Sequence, residues 1–449
     1  MVFIHAFGGL GLVNETLEIE YSGYNDVKQK QLRFVITGAF LYGNLGSAAM
    51  VVVLTRQLLA LFPNSVVTLA SKYPDKDKLE LNKYLDIIDL RVASARQLRA
   101  TFLLLPLSML YKLLRYFGIR SKVIEKQREL KIFADADYVF DIGGITFSKE
   151  RGLSGLIINI TWVLIPYSLG IPIVKVAQAF GPIEKGWFEN ISQKVLNYVN
   201  LIISRGYLSS AELDKLKLIR DYKQCSDIAF LLDPVRPLHD DQFTRKIPTI
   251  NITPSSVLYQ KIGAVKYINL FRKLIEDIAL NYPEYSIRLI AHSFKQGKTL
   301  NNNDYPVCKE IWDSLPEQLR DKTSLVFGDY TASEMKYILG QSDLLIACRF
   351  HSMVGALGMG VPVFVLGWSH KYKEIMDFFG LDTVLNYKDL SYEKMWKLVN
   401  KAIKNKEKNR AKVNEKIGDC IESAMNNFVL IEEFVTRNEY SKDCSVCSR

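Results

Sequence analysis

Residues 33–62 read RFVITGAFLYGNLGSAAMVVVLTRQLLALF, and this stretch decides the fold class. Residues 33–39 form a short apolar run, which is typical of a strand buried on both faces of a sheet. Residues 47–62 are apolar over the length of a helix, so a helix is predicted directly after the strand. A strand, a glycine-containing turn and a helix make up the repeating unit of a parallel α/β sheet.

The same alternation of short apolar runs and helix-length segments continues through most of the chain. Further strands are predicted at residues 65–71, 85–90, 137–143, 171–178, 200–205 and 225–232. Residues 233–248 then carry three prolines and charges of both signs, which is typical of an interdomain linker. A second series predicts strands at 249–253, 286–292, 324–328, 343–348 and 362–367, with helices near 264–280 and 304–319.

We therefore expect an α/β protein with two doubly wound, Rossmann-like domains that face each other across a cleft, as in the glycosyltransferase-B architecture. The expected segments are an N-terminal extension (1–32), a first Rossmann-like domain (33–232), a linker (233–248), a second Rossmann-like domain (249–391) and a C-terminal helical segment with a tail (392–449). Ligands of open parallel sheets bind beyond the carboxyl ends of the strands. Functional residues are therefore expected directly after strands.

Composition limits the classes of partner. The chain has 449 residues, of which 48% are hydrophobic and 24% charged, so it can bury sizeable cores. A formal charge of +10 favours anionic partners such as phosphorylated metabolites or an anionic membrane surface. The basic residues form no stripe interleaved with aromatic residues, and no nucleic-acid partner is expected.

The cysteines do not indicate a metal site. Among six scattered cysteines, only Cys444 and Cys447 form a C-x-x-C, and the second pair that a zinc site needs is missing. We expect a disordered tail around this motif and a reducing, cytoplasmic compartment.

The first fifteen residues lack the basic region of a signal peptide, and no run approaches the ~18 apolar residues that span a bilayer.

Residues 101–120, TFLLLPLSMLYKLLRYFGIR, come nearest to a bilayer-spanning run, but they contain Pro106, Lys112 and Arg115. They are predicted to be a helix that covers the core. The alternative is a helix that lies in the membrane interface, with Lys112, Arg115 and Arg120 facing lipid headgroups.

Glycines and polar residues follow the predicted strands of the first series. Gly43, Asn44 and Gly46 match neither the dinucleotide-binding motif nor the P-loop. They could still bring backbone N–H groups close to a ligand at a helix N-terminus, and a plain tight turn is the alternative. Arg205, directly after another strand, either binds a ligand or pairs with a carboxylate such as Glu212.

The second series places three cationic or titratable residues after strands: His292, Arg349 and His351. Ser352 is predicted to cap a helix at 353–359, which puts Arg349 and His351 at a helix N-terminus, where the helix dipole favours an anion. A charge at the mouth of a buried segment either has a partner in the protein or binds a ligand. Two such side chains at one helix N-terminus favour an anionic ligand.

The segment CRFHS (348–352) and the following ALGMGVPVFVLGWSHKYKEIMDFFGL together resemble the signature of the polysaccharide pyruvyl transferase family. Further stretches follow in the family's order: GNLGSAA (43–49), DIGGITF (141–147), AQAFGP (177–182), SRGYLSSAEL (204–213) and DIAFLL (227–232). The resemblance covers roughly residues 33–385. Two positions depart from the pattern, since Ser47 and Gly206 stand where the family usually has an acidic residue. The glycine run at 143–144 is also shorter than the family pattern.

The resemblance implies transfer of pyruvate from phosphoenolpyruvate to two hydroxyls of a sugar, which forms a cyclic ketal without a cofactor or a metal. Arg349 and Arg205 would hold the donor from opposite sides of the cleft. His351 would be the general acid–base. The candidate substrate-binding residues are Gly43, Asn44, Gly46, Gly143, Gly144, Gln178, His292 and Ser352.

The expected partners are phosphoenolpyruvate and a sugar acceptor, free or lipid-linked, with peripheral contact at the inner face of the membrane. Two alternatives remain open from the sequence. One is a glycosyltransferase of the same architecture that uses a nucleotide sugar, and the other is a non-catalytic protein that binds anionic glycans.

Overall fold

A computed structural model describes residues 27, 29–119, 127–238, 243, 247–295, 300 and 302–447, with side chains up to residue 442. Most of the N-terminal extension, Arg120 and much of the predicted linker lie outside the described residues.

The first half of the chain builds one parallel sheet. Its strands are β1 (Arg33–Thr37), β2 (Val66–Ser71), β3 (Arg91–Ser94), β4 (Tyr138–Asp141), β5 (Ile145–Thr146), β6 (Ile173–Phe180), β7 (Leu201–Arg205) and β8 (Lys223–Cys225). Their spatial order is β3-β2-β1-β4-β6-β7-β8, with β5 beside β6, and every pairing is parallel. The helices are α1 (Leu45–Leu61), α2 (Pro74–Leu81), α3 (Gln97–Arg99), α4 (Leu105–Tyr116), α5 (Arg128–Ala134), α6 (Gly152–Leu169), α7 (Trp187–Leu196) and α8 (Tyr207–Asp214).

The second half builds another parallel sheet, of order β11-β10-β9-β12-β13-β14. Its strands are β9 (Thr249–Thr253), β10 (Ser286–Ile290), β11 (Thr323–Val326), β12 (Leu344–Ala347), β13 (Val363–Gly367) and β14 (Val384–Asn386). Its helices are α9 (Ser256–Ile262), α10 (Ala264–Asn281), α11 (Tyr305–Asp313), α12 (Glu317–Arg320), α13 (Ala332–Gly340), α14 (Phe350–Leu357), α15 (His370–Phe378), α16 (Tyr392–Lys404) and α17 (Lys406–Cys447). Two parallel α/β domains confirm the predicted fold class.

Helix α1 explains how the two domains are joined. Apart from Arg56 and Gln57 its long side chains are apolar, and eleven of its seventeen residues are buried. A helix of that kind must be covered on most of its surface. It packs against β2 of its own domain and against α13 and α14 of the other domain. The largest apolar cluster therefore contains Val51 of α1 together with Leu339 and Val354 of the second domain.

Two predicted strands are wrong. Residues 85–90 precede strand β3 rather than forming it, and Leu85 and Ile87 are exposed. Within 225–232, residues Ile228–Leu231 form a 3₁₀ turn. The Asp227 carboxylate accepts the Ala229 N–H and caps this turn, which an extended strand does not allow.

Helix α17 runs back from the second domain onto the first. It packs against the 3₁₀ turn Ile228–Leu231 and against β6 and β8. Near its end, the Tyr138 hydroxyl of β4 donates a hydrogen bond to Glu439 at 2.8 Å. The backbone is helical through Cys447, so the prediction of a disordered tail around Cys444 and Cys447 is wrong. The contact of Glu439 with Tyr138 shows that α17 is held against the first domain close to the end of the helix.

The expectation that no segment is long and apolar enough to span a bilayer is also wrong. Residues Lys149–Leu169, which include α6, are long and apolar enough to cross a bilayer by length and composition. Of their most apolar 18-residue stretch, 56% is buried inside the protein. Trp162 and Ile165 pack in one apolar cluster of the first domain, and Leu156 and Val163 pack in another. The segment is placed as a core helix of the first domain.

The position of α17 generates a first prediction. Ile431 is fully buried, whereas Val429 on the same helix is 48% exposed. Ile431→Ala should lower the free energy of unfolding by about 2–5 kcal/mol, because it leaves a cavity where α17 covers the first domain. Val429→Ala is the matched control and should change it by less than about 0.5 kcal/mol. Urea unfolding of both variants measures the difference, and equal stability of the two would contradict this packing.

Candidate active site

The carboxyl ends of both sheets meet at a cavity of about 390 Å³ between the domains. From the first domain, Gly38 after β1 and Gly144 after β4 line it. From the second domain, His292 after β10, Arg349 after β12 and Trp368 after β13 line it. This is the crevice in which parallel α/β sheets bind their ligands.

The walls of the cavity are cationic. Lys72, Arg151, Arg349 and Lys371 line it, and among the described residues no Asp or Glu does. Desolvation, together with the charges of Lys295 and Arg151, lowers the pKa of Lys72 to about 8. Positive charge gathered from both domains without a carboxylate in the lining is suited to an anion that carries more than one charge.

Lys371 is the most unusual of these cations. Its side chain is only 7% exposed, and within the described part of the chain no carboxylate lies within ion-pair distance of its ammonium group. The ammonium instead lies 4.5 Å from the centre of the Phe350 ring and 5.3 Å from that of Trp368. Burial first, and then the nearby Arg205, lowers the pKa of Lys371 well below its usual value. A buried cation of this kind is stabilised by an anion from outside.

Arg349, by contrast, already has a partner. Its Nε donates to Asp304 Oδ2 at 2.8 Å, and its Nη2 donates to the other Asp304 oxygen and to Ser256 Oγ. Its Nη1 donates to Asn302 Oδ1 at 2.8 Å. Four of its five N–H groups are thus engaged, and the guanidinium cannot offer a ligand the two parallel hydrogen bonds of a free arginine. The expectation that Arg349 has only an anionic ligand as its partner is wrong.

The partner carboxylate ties several strand ends together. Asp304 is fully buried and accepts the backbone N–H groups of Ser256, after β9, and Ser293, after β10. It also accepts the hydrogen bonds of Arg349, which follows β12. Asp304 therefore fixes the floor of the cavity on the side of the second domain.

His351 lies at the boundary between the domains. Its Nε2 is 3.7 Å from Asp227 and makes no hydrogen bond among the described residues. Burial lowers the pKa of His351 to about 3, and the opposing effect of Asp227 is smaller. The imidazole is therefore neutral at neutral pH, in contrast to the expectation that it titrates there.

Arg205 lies behind the cavity rather than on its surface. Its side chain is 1% exposed, its Nη1 is paired with Asp227, and its Nη2 donates to the Gly144 carbonyl at 2.9 Å. The guanidinium stacks on the Phe350 ring at 4.4 Å. Asp227, not Glu212, is its partner, and Arg205 does not line the cavity. The expectation that Arg205 contacts the donor is therefore not supported by its position.

Gly43 and Gly46 serve the contact between the domains. A Cβ at Gly46 would overlap the His351 ring, and one at Gly43 would overlap the Lys295 side chain. Gly43 also has φ +67°, which only glycine adopts without strain. Asn44 caps α1 by accepting the Ser47 N–H at 3.3 Å, and it lines the cavity. The motif thus lets side chains of the second domain reach the N-terminus of α1.

The remaining candidates divide into one lining residue and three structural ones. Gly144 lines the cavity, while Gly143 donates its N–H to Asp141 at 3.0 Å beneath it. Gln178 is buried and donates to the Asp141 carbonyl at 2.6 Å. Ser352 lies inside α14, which begins at Phe350 rather than at 353, and its hydroxyl donates to the Arg349 carbonyl at 2.8 Å. The predicted cap at Ser352 is therefore wrong.

Sequence reasoning missed three of the four cations that line the cavity: Lys72, Arg151 and Lys371. Lys72 immediately follows strand β2, so its position after a strand could have revealed it. Lys371 lies in the first turn of α15, which begins three residues after β13 ends. Arg151 follows no strand directly, and its position depends on a bond from its Nη1 to the Ile145 carbonyl at 3.0 Å.

The contacts of Ser47 and Gly206 explain why these two residues depart from the family pattern. The Ser47 hydroxyl accepts the Phe40 N–H at 2.7 Å and keeps the cavity free of a carboxylate at that point. Gly206 has φ +95°, and a Cβ there would overlap Glu374 of α15. Glu374 accepts the Ser209 N–H at 2.7 Å, so a carboxylate from the second domain bonds to the first turn of α8.

Two parallel-sheet domains with a ligand crevice between them define a class of proteins seen in several solved structures. The chain is similar to the UDP-GlcNAc 2-epimerase of Neisseria meningitidis bound to UDP-GlcNAc (12% identity, TM-score 0.56), covering 91% of this chain and 100% of that one. It is also similar to S. aureus MnaA with UDP (12%, TM-score 0.57, 86% and 91% covered) and to a ugt transferase from Siraitia grosvenorii with UDP (12%, TM-score 0.53, 90% and 100% covered). At these identities the likeness concerns the fold alone.

The model of the polysaccharide pyruvyl transferase family matches residues 44–370, and the chain belongs to this family. A curated relative is the amylovoran biosynthesis protein AmsJ of Erwinia amylovora, 24% identical over 223 residues, which are 47% of this chain. The match spans about half of the relative's length (52%). The resemblance inferred from the motifs is thereby confirmed.

The Arg349–Asp304 pair generates a second prediction. Arg349→Gln should lower the free energy of unfolding by about 3–5 kcal/mol, because it leaves the buried Asp304 carboxylate without its cation. Lys72→Gln removes another cation of the same cavity, one that is exposed and forms no ion pair within the part of the chain that the structure describes. It should change stability by less than about 0.5 kcal/mol. Thermal and urea unfolding of both variants test this. If Arg349→Gln is as stable as the parent protein, the pair is not structural.

The buried histidines generate a third prediction. Burial lowers the pKa of His292 to about 4 and that of His351 to about 3, whereas unfolded histidines titrate near 6.5. Between pH 6.5 and about 4 the unfolded chain therefore binds more protons than the folded one, and stability falls as the pH falls. Each residue should contribute a loss of about 2 kcal/mol at pH 5.

The measurement is the free energy of unfolding between pH 7 and pH 5 for the parent protein and for His292→Gln/His351→Gln. The double variant should show the smaller dependence on pH. An identical slope for both proteins would mean that these two histidines are not buried in the neutral form.

Proposed function

We propose that the protein transfers pyruvate from phosphoenolpyruvate to two hydroxyls of a sugar in a cell-surface glycan or its precursor, forming a cyclic ketal. The observation that carries the proposal is the interdomain cavity, lined by four cations and, among the described residues, by no carboxylate. Membership of the polysaccharide pyruvyl transferase family supports the same reaction.

Phosphoenolpyruvate carries a carboxylate and a phosphate on the same carbon atom, so it needs cations from more than one direction. Lys371 and Arg349 approach from the second domain, and Lys72 and Arg151 from the first. Lys371 is the main electrostatic partner of the donor, because it is buried, no carboxylate of the described residues pairs with it, and a bound anion favours its protonated form. Arg349 is held rigidly by Asp304 and contributes its one remaining N–H and its field.

His351 is neutral without a ligand, and the donor changes this. A multiply charged anion beside the imidazole favours the protonated form and raises the pKa of His351 towards neutrality. The imidazolium then gives a proton to the methylene carbon of phosphoenolpyruvate, and the first sugar hydroxyl adds to the adjacent carbon while its proton passes to His351. Phosphate leaves as the C–O bond to it breaks, and the second hydroxyl closes the ring. Of the two hydroxyl protons, one ends on the new methyl group and the other on phosphate.

The acceptor sugar lies against the aromatic side of the cavity. Trp368 is partly exposed there, and Phe40 lines the opposite wall. Flat aromatic faces suit the C–H face of a pyranose, and the nearby cations leave the hydroxyl edge directed towards the donor.

The direct test is incubation of the purified protein with phosphoenolpyruvate and a panel of free and lipid-linked sugars. The proposal expects inorganic phosphate release that depends on the sugar, and a product heavier by one pyruvate less one water. Parallel reactions replace phosphoenolpyruvate by nucleotide sugars. Nucleotide release in place of phosphate release would assign a glycosyltransferase, and binding of phosphoenolpyruvate without turnover of any sugar would assign a binding protein.

Lys371 provides the fourth prediction. Lys371→Gln should raise the KM for phosphoenolpyruvate or weaken its binding by about 10- to 100-fold, because a charge-assisted contact is lost. Lys373→Gln is the matched control two residues away, since Lys373 is exposed and paired with Asp377. The control should leave both binding and turnover unchanged.

Stability separates this role from a structural one. Without ligand, Lys371→Gln should melt at the same temperature as the parent protein or higher, because it removes a buried cation that has no carboxylate partner among the described residues. Arg349→Gln should melt lower. The rise of the melting temperature with added phosphoenolpyruvate should be smaller in Lys371→Gln than in the parent protein, and it should be unchanged in Lys373→Gln. A variant that melts lower yet binds the donor normally would show that Lys371 supports the fold instead.

A further inference from the structure

A second surface of the first domain is not used by the proposed reaction. The segment from α3 through α4, including a π-helical turn at Ala100–Leu104, packs one side onto an apolar cluster that contains Leu104 and Leu114. The opposite side consists of large apolar residues, each more than half exposed: Phe102, Met109, Leu113, Tyr116, Phe117 and Ile119. A helix at the surface of a soluble protein normally carries polar residues on that side, so this face indicates a partner.

The segment itself carries charge of one sign, although Arg96 and Arg99 pair with Asp75 and Glu129 of neighbouring elements. Residues 91–119 contain five Lys or Arg and no Asp or Glu. Lys112 and Arg115 flank the apolar stripe, and within the described part of the chain neither forms an ion pair. The Lys112 ammonium lies 3.5 Å from the centre of the Tyr167 ring.

A basic cavity of about 450 Å³ lies directly beside the helix. Lys112, Arg115 and Arg220 line it, together with Tyr167 and Tyr198, whose rings stack at 3.9 Å. No Asp or Glu of the described residues belongs to its lining. The cavity has the charge and size to receive a phosphate-bearing headgroup next to an apolar surface that can enter the acyl region.

We propose that this face docks the protein on a bilayer that contains anionic phospholipid, with α4 lying in the interface and a headgroup phosphate in the basic cavity. The charge distribution favours a bilayer over a second copy of the chain. A symmetric dimer through this face would place Lys112 and Arg115 of one copy close to the same charges of the other, whereas an anionic leaflet complements them. The proposal does not depend on the pyruvyl transfer reaction.

The test is flotation of the full-length protein with vesicles of phosphatidylcholine alone or of phosphatidylcholine mixed with phosphatidylglycerol. Binding is expected to the mixed vesicles and to weaken with added salt. Met109→Gln/Leu113→Gln should weaken it by about tenfold or more, because the apolar stripe loses its insertion into the interface. Lys112→Gln and Arg115→Gln should each weaken it by about fivefold.

The matched control is Val265→Gln/Leu280→Gln, which removes two apolar residues of α10 that are exposed to a greater degree, 76% and 78%. It should bind vesicles as the parent protein does, and all variants should keep the parent melting temperature, since every substituted side chain is exposed. Failure of the parent protein to bind mixed vesicles, or an equal loss in the control, would overturn the proposal. A dimer in light scattering that Met109→Gln/Leu113→Gln dissociates would assign the face to a second copy of the chain.

Discussion

The buried pair of Arg205 and Asp227 is the constraint on which the site depends. Both side chains are almost completely excluded from solvent, so neither tolerates the loss of the other. The pair belongs to the first domain, yet Phe350 of the second domain stacks on the guanidinium and His351 faces the carboxylate. The catalytic candidate is therefore oriented by the neighbouring domain, and the cavity exists only in the assembled pair of domains.

Within that frame the cations have two different roles. Arg349 lies at the end of a buried strand because Asp304 holds it there, and its charge is largely neutralised by this carboxylate. Lys371 has no such carboxylate among the described residues and rests on aromatic rings instead. A paired cation fixes the geometry of the site. An unpaired buried cation carries a desolvation cost in free energy, and a bound anion offsets that cost. The cavity combines a rigid floor with one strongly attracting charge.

Much of the fold follows from the sequence, because buried parallel strands leave continuous apolar runs such as residues 344–347 and 363–367. The site was less predictable. Position after a strand correctly predicted that His292, Arg349 and His351 lie at the cavity. It could not reveal that Asp304 pairs with Arg349 or that Asp227 faces His351. Those carboxylates come from a loop and a capped turn distant in sequence. Likewise the glycines at 43 and 46 looked like a ligand-binding turn, whereas their neighbours are side chains of the other domain.

The path of α17 bears on the order in which the chain is made. Synthesis proceeds from the N-terminus, and a domain generally folds as its last residues leave the ribosome. Here the residues that cover β6, β8 and the Asp227 turn belong to α17 (Lys406–Cys447), so they are translated only after the second domain. Until then the first domain leaves the apolar surface beneath α17 uncovered. A ribosome stalled before α17 would hold a chain whose first half exposes that surface to chaperones and proteases.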